Sequence, residues 1–385
     1  MKNQNSYILH QTIILCLSFI SFISCQNKKG EAIIKPDTPF YTDSIYYAQG
    51  FKIEEYEGYK TIIIKNPWDT GKTLHTYVLV PKNTDIPENL PKGTLIRTPI
   101  EKNVVFSAVI CGILDELNVL PSVAGVAEPE YIDIPAIQNE VKNGTIINVG
   151  QASNPDVEKL MILEPEAIFV NPIKDASYGQ TGKLGIPIIE CTDYMETTPL
   201  GQTEWIKFYG ALFDKKELAD SLFQKTADSY NTLKQLTENI TERPCVFTEM
   251  RYGDLWHIPG GKSYMAHLLN DAGAEYQWRN ESTSGTIALS FEEVLDQAEN
   301  CDFWLIKYYT PENMTYKELA NNYANYSLFS AYKNRNIYGC NTMKVPYYRE
   351  LPIHPDYLLK DLVWIFHPEL MPIDYQPKYY HKMTD

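Results

Sequence analysis

The sequence predicts an α/β protein with two lobes, each built on a parallel central sheet, joined by one long helix. Strand-like and helix-like stretches alternate over residues 104–190 and again over residues 245–338, which is typical of parallel sheets covered on both faces. Between these regions, apolar residues keep a helical period from Trp205 to Ile240. The two regions also echo one another, because in each a helix containing acidic residues leads into an apolar strand, at residues 167–170 and 303–306.

The composition indicates a folded chain without a nucleic-acid partner. Its 385 residues carry a formal net charge of −15, and 44% of them are apolar. These values exclude a disordered protein, a multi-span membrane protein and a nucleic-acid binder that relies on overall charge. The length allows one large domain or two of ordinary size.

Residues 1–24 have the pattern of a signal peptide. Lys2 supplies a positive charge, residues 13–23 are almost wholly apolar, and the run ends at Ser24 and Cys25. An apolar core this short indicates a signal rather than a membrane span. Residues 22–25 resemble the lipobox of bacterial lipoproteins, which implies a lipid on Cys25 and a polar tether over residues 25–44. The alternative is a secretory signal without lipid.

The first lobe is predicted over residues 45–198 and starts with an antiparallel extension. Three strand-like stretches cover residues 50–55, 59–65 and 74–81, with turn residues between them. The alternating strands and helices of the parallel sheet follow this extension.

A connecting helix is predicted over residues 199–242, and the second lobe over residues 243–385. Thr198 and Pro199 fit the start of the helix, and Arg243 with Pro244 fits its end. The apolar period allows one helix of about 40 residues or two in series, spanning up to roughly 60 Å.

Five cysteines remain outside the signal region, and their spacing is irregular: Cys111, Cys191, Cys245, Cys301 and Cys340. The spacing contains no pair of the kind that binds zinc. All but Cys340 lie in or beside apolar runs and are predicted to be small buried side chains. The sequence leaves one disulfide open.

Together these features resemble the solute-binding proteins of ABC importers, specifically the class with a helical backbone that handles iron-siderophore complexes, haem and cobalamin. The resemblance covers residue 45 to the C-terminus and rests on motifs in the family's order, which are residues 104–107, 146–150, 163–168, 259–264 and 289–295. It implies two Rossmann-like lobes joined by a rigid helix. It also implies a monomeric periplasmic protein, lipid-anchored to a bacterial membrane.

The resemblance further implies an ABC permease dimer with its ATPase subunits as the partner. In this family one glutamate near the top of each lobe pairs with arginines of the permease, and Glu158 and Glu292 fall on those positions. The alternative is a local role, since a helix dipole stabilises acids in the first turn. Ser290 and Glu293 have the spacing of a capping box, which gives Glu293 a local role and leaves Glu292 free.

A ligand is expected in the cleft between the lobes, at loops that follow the carboxyl ends of strands. Rings and arginines in these loops suit a large, flat, partly anionic ligand through stacking and charge-assisted hydrogen bonds. The predicted ligand-binding residues are Ser107, Tyr178, Tyr194, Arg251, Tyr252, Trp256, His257, Tyr308, Tyr348 and Arg349. An ordinary surface role remains open for each tyrosine, and His257 is either an axial metal ligand or a structural residue.

The sequence contains no P-loop, nucleophile elbow, zinc-protease motif or dinucleotide fingerprint. We therefore expect a binding protein rather than an enzyme, with no metal site or cofactor of its own. Its expected ligand is a metal chelate, and the sequence does not decide among ferric siderophore, haem and cobalamin. Two alternatives remain: a metallocofactor-binding enzyme, which would need Cys191 and Cys340 at the cleft, and a surface lipoprotein that holds ligand without a permease.

Overall fold

The fold was obtained as a computed structural model of the chain, and it describes residues 39–175 and 177–385. The predicted signal peptide and Cys25 lie outside these residues. Within them, no helix combines the length and the apolar character needed to cross a membrane.

A five-stranded sheet opens the described chain. Its first four strands pair antiparallel in chain order, as the sequence predicts from residue 50 onward, and the fifth adds to the fourth in parallel. The strands are β1 Tyr41–Thr42, β2 Phe51–Tyr56, β3 Tyr59–Lys65, β4 Thr73–Pro81 and β5 Thr94–Thr98.

The tether predicted over residues 25–44 ends earlier than expected. Tyr41 and Thr42 already pair with β2. Asp43 is buried, and its carboxylate accepts a hydrogen bond from Lys216 Nζ at 2.5 Å. A buried carboxylate is retained only when it is paired, so this contact fixes residues 41–43 to the folded body.

The first lobe contains a parallel sheet in the order β12-β11-β6-β7-β8, with a short hairpin, β9-β10, beside it. Its strands are β6 Asn103–Val105, β7 Val123–Val126, β8 Ile147–Asn148, β9 Gly150–Gln151, β10 Asn154–Pro155, β11 Ala167–Val170 and β12 Ile188–Glu190. Its helices are α1 Ala108–Glu116, α2 Pro135–Asn143 and α3 Val157–Leu163.

Three helices, rather than one or two, connect the lobes: α4 Pro199–Glu204, α5 Ile206–Leu212 and α6 Lys216–Thr237. Thr198 caps the first of them, as predicted. The chain turns at Asp214, which has a left-handed φ of 55°, and Lys215 N–H donates to the carbonyl of Gly210. A side chain on Gly210 would place its Cβ 2.6 Å from Ala219 Cβ, so α5 and α6 pack closely instead of continuing in line. The predicted single long helix is therefore limited to the 22 residues of α6.

The second lobe has a five-stranded sheet in the order β16-β13-β18-β19-β20, parallel except for the last strand, and a small antiparallel sheet in the order β14-β15-β17. The strands are β13 Cys245–Thr248, β14 Arg251–Tyr252, β15 Leu255–Pro259, β16 Glu275–Tyr276, β17 Thr286–Leu289, β18 Phe303–Tyr308, β19 Ile337–Asn341 and β20 His381–Lys382. The helices are α7 Tyr264–Asp271, α8 Phe291–Ala298, α9 Tyr316–Asn322, α10 Ser330–Lys333, α11 Tyr347–Glu350 and α12 Pro355–Phe366.

The internal echo in the sequence corresponds to a repeated strand arrangement. In the first lobe β11 pairs with β6, the first strand of its sheet, and in the second lobe β18 pairs with β13, again the first strand. Residues 167–169 and 303–305 therefore occupy equivalent places. One continuous apolar core joins the antiparallel sheet, the connecting helices and both lobes.

Cys245 and Cys301 form a disulfide at the amino ends of the neighbouring strands β13 and β18. This is the one disulfide that the sequence leaves open, and adjacent parallel strands make it possible by bringing the two Cα atoms within 4.7 Å although 56 residues separate them in sequence. Cys111, Cys191 and Cys340 are free and buried.

Candidate functional site

The carboxyl ends of the parallel strands meet in a cleft between the two lobes. Its volume is about 640 Å³, within the range of small-molecule sites. The first lobe contributes the start of α1, which follows β6, and the loop after β7. The second lobe contributes the loops after β18 and β19 together with α11. The lining residues are Ala108, Val109, Glu130, Tyr131, Asp133, Tyr309, Thr342, Met343, Lys344, Val345, Pro346, Tyr347, Tyr348 and Arg349.

Aromatic rings enter this cleft from both lobes. Tyr131 of the first lobe and Tyr309 and Tyr348 of the second are each more than half exposed, and Met343 beside them is about half exposed. Rings and a thioether that remain open to solvent at a concave surface provide flat and polarisable contact area. The cleft can therefore hold a ligand with extended flat or apolar faces.

One ion pair joins the lobes at this cleft. Arg349 Nε of α11 donates to Asp133 Oδ1 of the first lobe at 2.8 Å. The aliphatic part of Arg349 packs over Gly112 of α1, where an added Cβ would lie 2.6 Å from Arg349 Cγ. Nearby, His354 Nε2 and Glu116 Oε1 form a second contact between the lobes at 3.1 Å. This contact is the largest cause of the lowered pKa of Glu116.

A half-buried ion pair lies behind the second-lobe wall of the cleft. Lys307, near the end of β18, pairs with Glu249, which directly follows β13. Burial opposes the charge of Lys307, but the charge and hydrogen bond of Glu249 leave the pKa of Lys307 raised. The ammonium lies 5.8 Å from the centre of the Tyr347 ring, which lines the cleft. The pair thus joins the end of β18 to the residue that follows β13, beside the Tyr347 ring of α11.

A second cavity, of about 560 Å³, lies within the first lobe between the ends of β6 and β11 and the β9-β10 hairpin. Tyr178 lines it, and its hydroxyl donates to Glu190 Oε1 at 2.7 Å. Glu190 also lies 3.2 Å from His75 Nδ1. Burial opposes ionisation of Glu190, but the hydrogen bonds from His75 and Tyr178 leave its pKa lowered.

The structure places three of the predicted ligand-binding residues at these cavities. Tyr348 and Arg349 line the cleft between the lobes, and Tyr178 lines the cavity of the first lobe. Ser107 stands between the two, since Phe106 borders the first-lobe cavity and Ala108 borders the cleft. Tyr194 is partly exposed, and its hydroxyl donates to the carbonyl of Pro172.

The prediction that Trp256 faces a ligand is wrong. Its side chain is fully buried, its indole N–H donates to the carbonyl of Thr248 at 3.0 Å, and it packs against Phe247 and Trp304. The reason is the alternation of strand β15, which turns Trp256 into the core and His257 to the exposed face. Neither residue lines the cleft or the first-lobe cavity.

The other three predicted residues also lie away from the cleft lining. The Tyr308 hydroxyl accepts a hydrogen bond from Met314 N–H, and its ring packs on Gly339. The guanidinium of Arg251 lies 4.2 Å from the centre of the Tyr323 ring, and Tyr252 is strongly exposed at a hairpin turn.

Sequence reasoning missed Asp133 and the importance of the loop after β19. Asp133 lies in a short loop with the sequence Tyr-Ile-Asp-Ile. The alternation of polar and apolar residues there does not indicate that the Asp133 carboxylate contacts an arginine of the second lobe. Of the segment that follows β19, only Tyr348 and Arg349 are among the predicted ligand-binding residues. Their position after a central strand of the second lobe was the available signal, since ligands bind outside the carboxyl ends of such strands.

The sequence matches the periplasmic binding protein family over residues 104–342, which is more than half of the chain. The chain belongs to this family. An uncharacterised lipoprotein of Methanocaldococcus jannaschii is 26% identical to it over 353 residues, covering 85% of this chain and 83% of that protein. The petrobactin-binding protein YclQ of Bacillus subtilis is 28% identical over 155 residues, covering 38% and 46%. The crystal structure of S. aureus IsdE complexed with haem is similar at a TM-score of 0.51 with 20% identity, covering 69% of this chain and 98% of that one.

These similarities confirm the predicted fold class and the resemblance to solute-binding proteins of ABC transporters. Members of this family are binding proteins of transporters, and they work with permease and ATPase partners. The family is periplasmic.

The two glutamates predicted to contact a permease stand at equivalent places in this binding protein. Glu158 lies in the first turn of α3 and Glu292 in the first turn of α8, and both are exposed. Ser290 and Glu293 form the capping box that the sequence predicts. Within residues 39–175 and 177–385, neither Glu158 nor Glu292 forms an ion pair or a side-chain hydrogen bond.

Cys191 and Cys340 do not reach the cleft of this binding protein. Both side chains are fully buried, and burial raises the pKa of the Cys340 thiol to about 12. The alternative of a metallocofactor enzyme requires both cysteines at the cleft. Their burial contradicts that requirement. Across the described part of the chain, no group of three or more His, Cys, Asp or Glu side chains is arranged to hold a metal ion.

Proposed function

We propose that this binding protein captures a metal-chelate ligand in the cleft between its lobes and delivers it to an inner-membrane ABC permease. The observation that carries the proposal is the convergence of Tyr131 from one lobe and Tyr309 and Tyr348 from the other on a single cleft of about 640 Å³. A ligand contacted from both sides by exposed rings needs broad, flat or apolar faces, as a tetrapyrrole or an aromatic chelator has.

The charges at the cleft support a partly anionic ligand. Arg349 and Lys344 line it, and each is already paired with an acid, Asp133 at 2.8 Å and Glu312 at 3.2 Å. A ligand carboxylate or phenolate that replaces these acids gains a charge-assisted hydrogen bond and leaves neither cation unpaired, while the exposed acids return to water. The petrobactin-binding relative and the neighbour complexed with haem support a ligand of this kind.

Delivery is proposed to run through Glu158 and Glu292, one on each lobe. Their exposure and their lack of partners within the described residues leave both carboxylates able to meet arginines of a permease dimer. Lipid attachment at Cys25 would keep the protein at the membrane that holds this permease, in line with the archaeal relative described as a lipoprotein.

Ligand binding is testable with the purified full-length protein in detergent. Isothermal titration calorimetry with haemin, cyanocobalamin, ferric petrobactin and a ferric hydroxamate siderophore should show saturable one-site binding for one of these classes. Calorimetry needs no reporter side chain at the site, and no tryptophan of the described chain lines the cleft or the first-lobe cavity.

A matched pair of variants locates the site. Tyr348→Ala should weaken binding of the active ligand about tenfold, as expected for the loss of a stacking ring. Tyr46→Ala, which removes an exposed ring that lines neither the cleft nor the first-lobe cavity, should leave binding unchanged. Equal effects of the two variants, or no binding by any of the four ligands, would contradict the proposal.

A further inference from the structure

Three exposed tyrosine rings stand near the start of the described chain. Tyr41 is 45%, Tyr46 74% and Tyr47 37% exposed. Tyr41 and Tyr46 line one shallow groove. The Tyr47 ring packs edge-on against the ring of Phe223, which lines the same groove, with 5.8 Å between the ring centres. The three tyrosines therefore form one surface, which we call the ring patch.

The backbone under the ring patch is held in place by hydrogen bonds. Tyr41 pairs with β2. The N–H groups of Tyr46 and Tyr47 donate to the buried carboxylate of Glu204. Rings on a fixed backbone lose little conformational freedom when a second surface covers them, so the ring patch is pre-organised for contact.

The charges beside the ring patch are paired with one another. Lys207 pairs with Glu204 at 2.9 Å. Lys216 pairs with Asp43 at 2.5 Å and with Asp220 at 3.5 Å. Both lysines line the groove, and the whole chain has a net charge of −15, so neither offers a strong attraction to an anionic surface. Any contact made here depends on the rings.

The ring patch lies close along the chain to the predicted lipid anchor. Cys25 and Tyr41 are 16 positions apart, so even a fully extended chain spans at most about 58 Å between them. A link of this length gives the two attached surfaces an effective concentration on the order of millimolar. Contacts that are weak for a free protein are therefore sufficient for an anchored one.

We propose that the ring patch rests on the lipid bilayer that holds the anchor, with its tyrosine rings at the level of the lipid headgroups. The proposal rests on the lipid attachment at Cys25 that belongs to the proposed function. Tyrosine is enriched at membrane–water interfaces, because its ring is apolar and its hydroxyl stays in contact with water. The contact would fix which side of the folded body faces the membrane, which a tether alone leaves open.

The size of the groove and the position of the patch favour a bilayer over other occupants. The groove has a volume of about 200 Å³, below the roughly 300–1,000 Å³ of ligand pockets, so a soluble ligand fits it poorly. A second copy of the chain would bind only at sufficient protein concentration. The anchor, in contrast, holds every copy at the bilayer whatever that concentration is.

A quencher attached to lipid headgroups tests the proposal with the lipidated full chain in phosphatidylcholine vesicles. An NBD fluorophore is attached at Ser44→Cys, which lies in the groove, or at Ser282→Cys, an exposed serine of the second lobe, as the matched control. The free cysteines of the described chain are buried, so labelling is directed to the new thiol. Vesicle flotation shows beforehand whether the protein is anchored.

The expected result is that nitroxide-labelled lipid removes at least half of the fluorescence at Ser44→Cys and little at Ser282→Cys. Equal quenching at both positions, or anchored protein without quenching at Ser44→Cys, would overturn the ring patch and leave the anchor in place. Protein that does not float with the vesicles would overturn both. Fluorescence that follows the protein-to-lipid ratio instead of the quencher would assign the patch to a second copy of the chain.

Ring variants separate the effect of the tyrosines from that of the tether. With the fluorophore at Ser44→Cys, the double variant Tyr41→Ser with Tyr46→Ser should lose most of the quenching. Tyr41→Trp with Tyr46→Trp should keep it, because tryptophan favours the same interface. Full quenching in the serine variant, or quenching that appears only after phosphatidylglycerol is added, would contradict the proposal. Equal midpoints of thermal unfolding restrict the comparison to folded protein.

Discussion

At the scale of single residues, the ion pair between Asp133 and Arg349 is the contact that an anionic ligand of the proposed kind would meet in the cleft. The guanidinium lines the cleft and is held there by the carboxylate of the opposite lobe. Arg349→Ala should weaken the binding of an anionic ligand by about tenfold to a hundredfold, because a hydrogen bond to a charged group contributes about 1.5–3 kcal/mol.

Asp133→Ala should have the opposite effect. It removes the competitor for Arg349, so the affinity for the same ligand should rise, and isothermal titration calorimetry measures both variants under one set of conditions. A loss of affinity in both variants would instead show that Asp133 itself contacts the ligand.

Asp193 gives a residue-scale prediction on pH. Its side chain is buried beside Tyr209, whose hydroxyl donates to Asp193 Oδ1 at 3.3 Å, and burial raises the pKa of this carboxyl from 3.8 to about 6. An acid with a raised pKa in the folded state binds its proton more tightly there, so it stabilises the fold below about pH 4. That stability is lost as the pH rises to about 6.

Asp193→Asn keeps the shape of the protonated side chain and cannot ionise. Its advantage over the wild type in the free energy of unfolding should grow by about 2–3 kcal/mol between pH 4 and pH 7. Urea unfolding at a series of pH values measures this difference. Parallel stability curves for the two proteins over that range would show that Asp193 is not perturbed.

At the scale of elements, two buried glutamates fasten the antiparallel sheet to the connecting helices. Glu204 of α4 is fully buried and accepts hydrogen bonds from the backbone N–H groups of residues 46, 47 and 48, and it pairs with Lys207. Glu196 accepts from the N–H groups of residues 49 and 50 and from the Trp205 indole. The backbone N–H groups of residues 46–50 thus all donate hydrogen bonds to the carboxylates of Glu204 and Glu196.

Glu204→Ala should lower the free energy of unfolding by about 3–5 kcal/mol, because three backbone donors and one lysine lose their acceptor. Chemical denaturation of the variant against Glu57→Ala, which removes an exposed acid in the turn between β2 and β3, measures the effect. The control should stay within about 0.5 kcal/mol of the wild type. A loss as small as the control's for Glu204→Ala would show that these contacts are not needed to hold the sheet.

The elements that sequence predicts well are those with a clear period. The three antiparallel strands over residues 51–81 and the capping box of α8 follow directly from alternation and cap spacing. The break between α5 and α6 at Asp214 could not be predicted in this way, because the apolar period of the sequence continues across the turn. The break is visible only in the structure, where Gly210 packs closely against Ala219.

The candidate site was predictable in place but only partly in composition. The rule that ligands bind at the carboxyl ends of strands predicted the place of the cleft, and Tyr348 and Arg349 line it. Trp256 was misplaced because one residue of register decides whether a strand side chain faces core or solvent. Asp133 was missed because its partner lies 216 residues away, across the cleft.

At the scale of the whole molecule, the contacts between the lobes predict little closure on ligand binding. Arg349 packs on Gly112, His354 meets Glu116, and one core runs through the connecting helices into both lobes. Packed interfaces of this kind resist continuous deformation. Small-angle scattering with and without saturating ligand should give the same radius of gyration within error, and a strong contraction would contradict this prediction.

The central claim is that one ligand is held by both lobes at once. The most direct measurement compares the affinity of the ligand found by titration for the wild type, Tyr131→Ala and Tyr348→Ala, since these rings enter the cleft from opposite lobes. The account predicts that each variant weakens the same ligand about tenfold without changing the fold. An effect of Tyr348→Ala alone, with Tyr131→Ala binding as tightly as the wild type, would place the ligand on one lobe and contradict the claim.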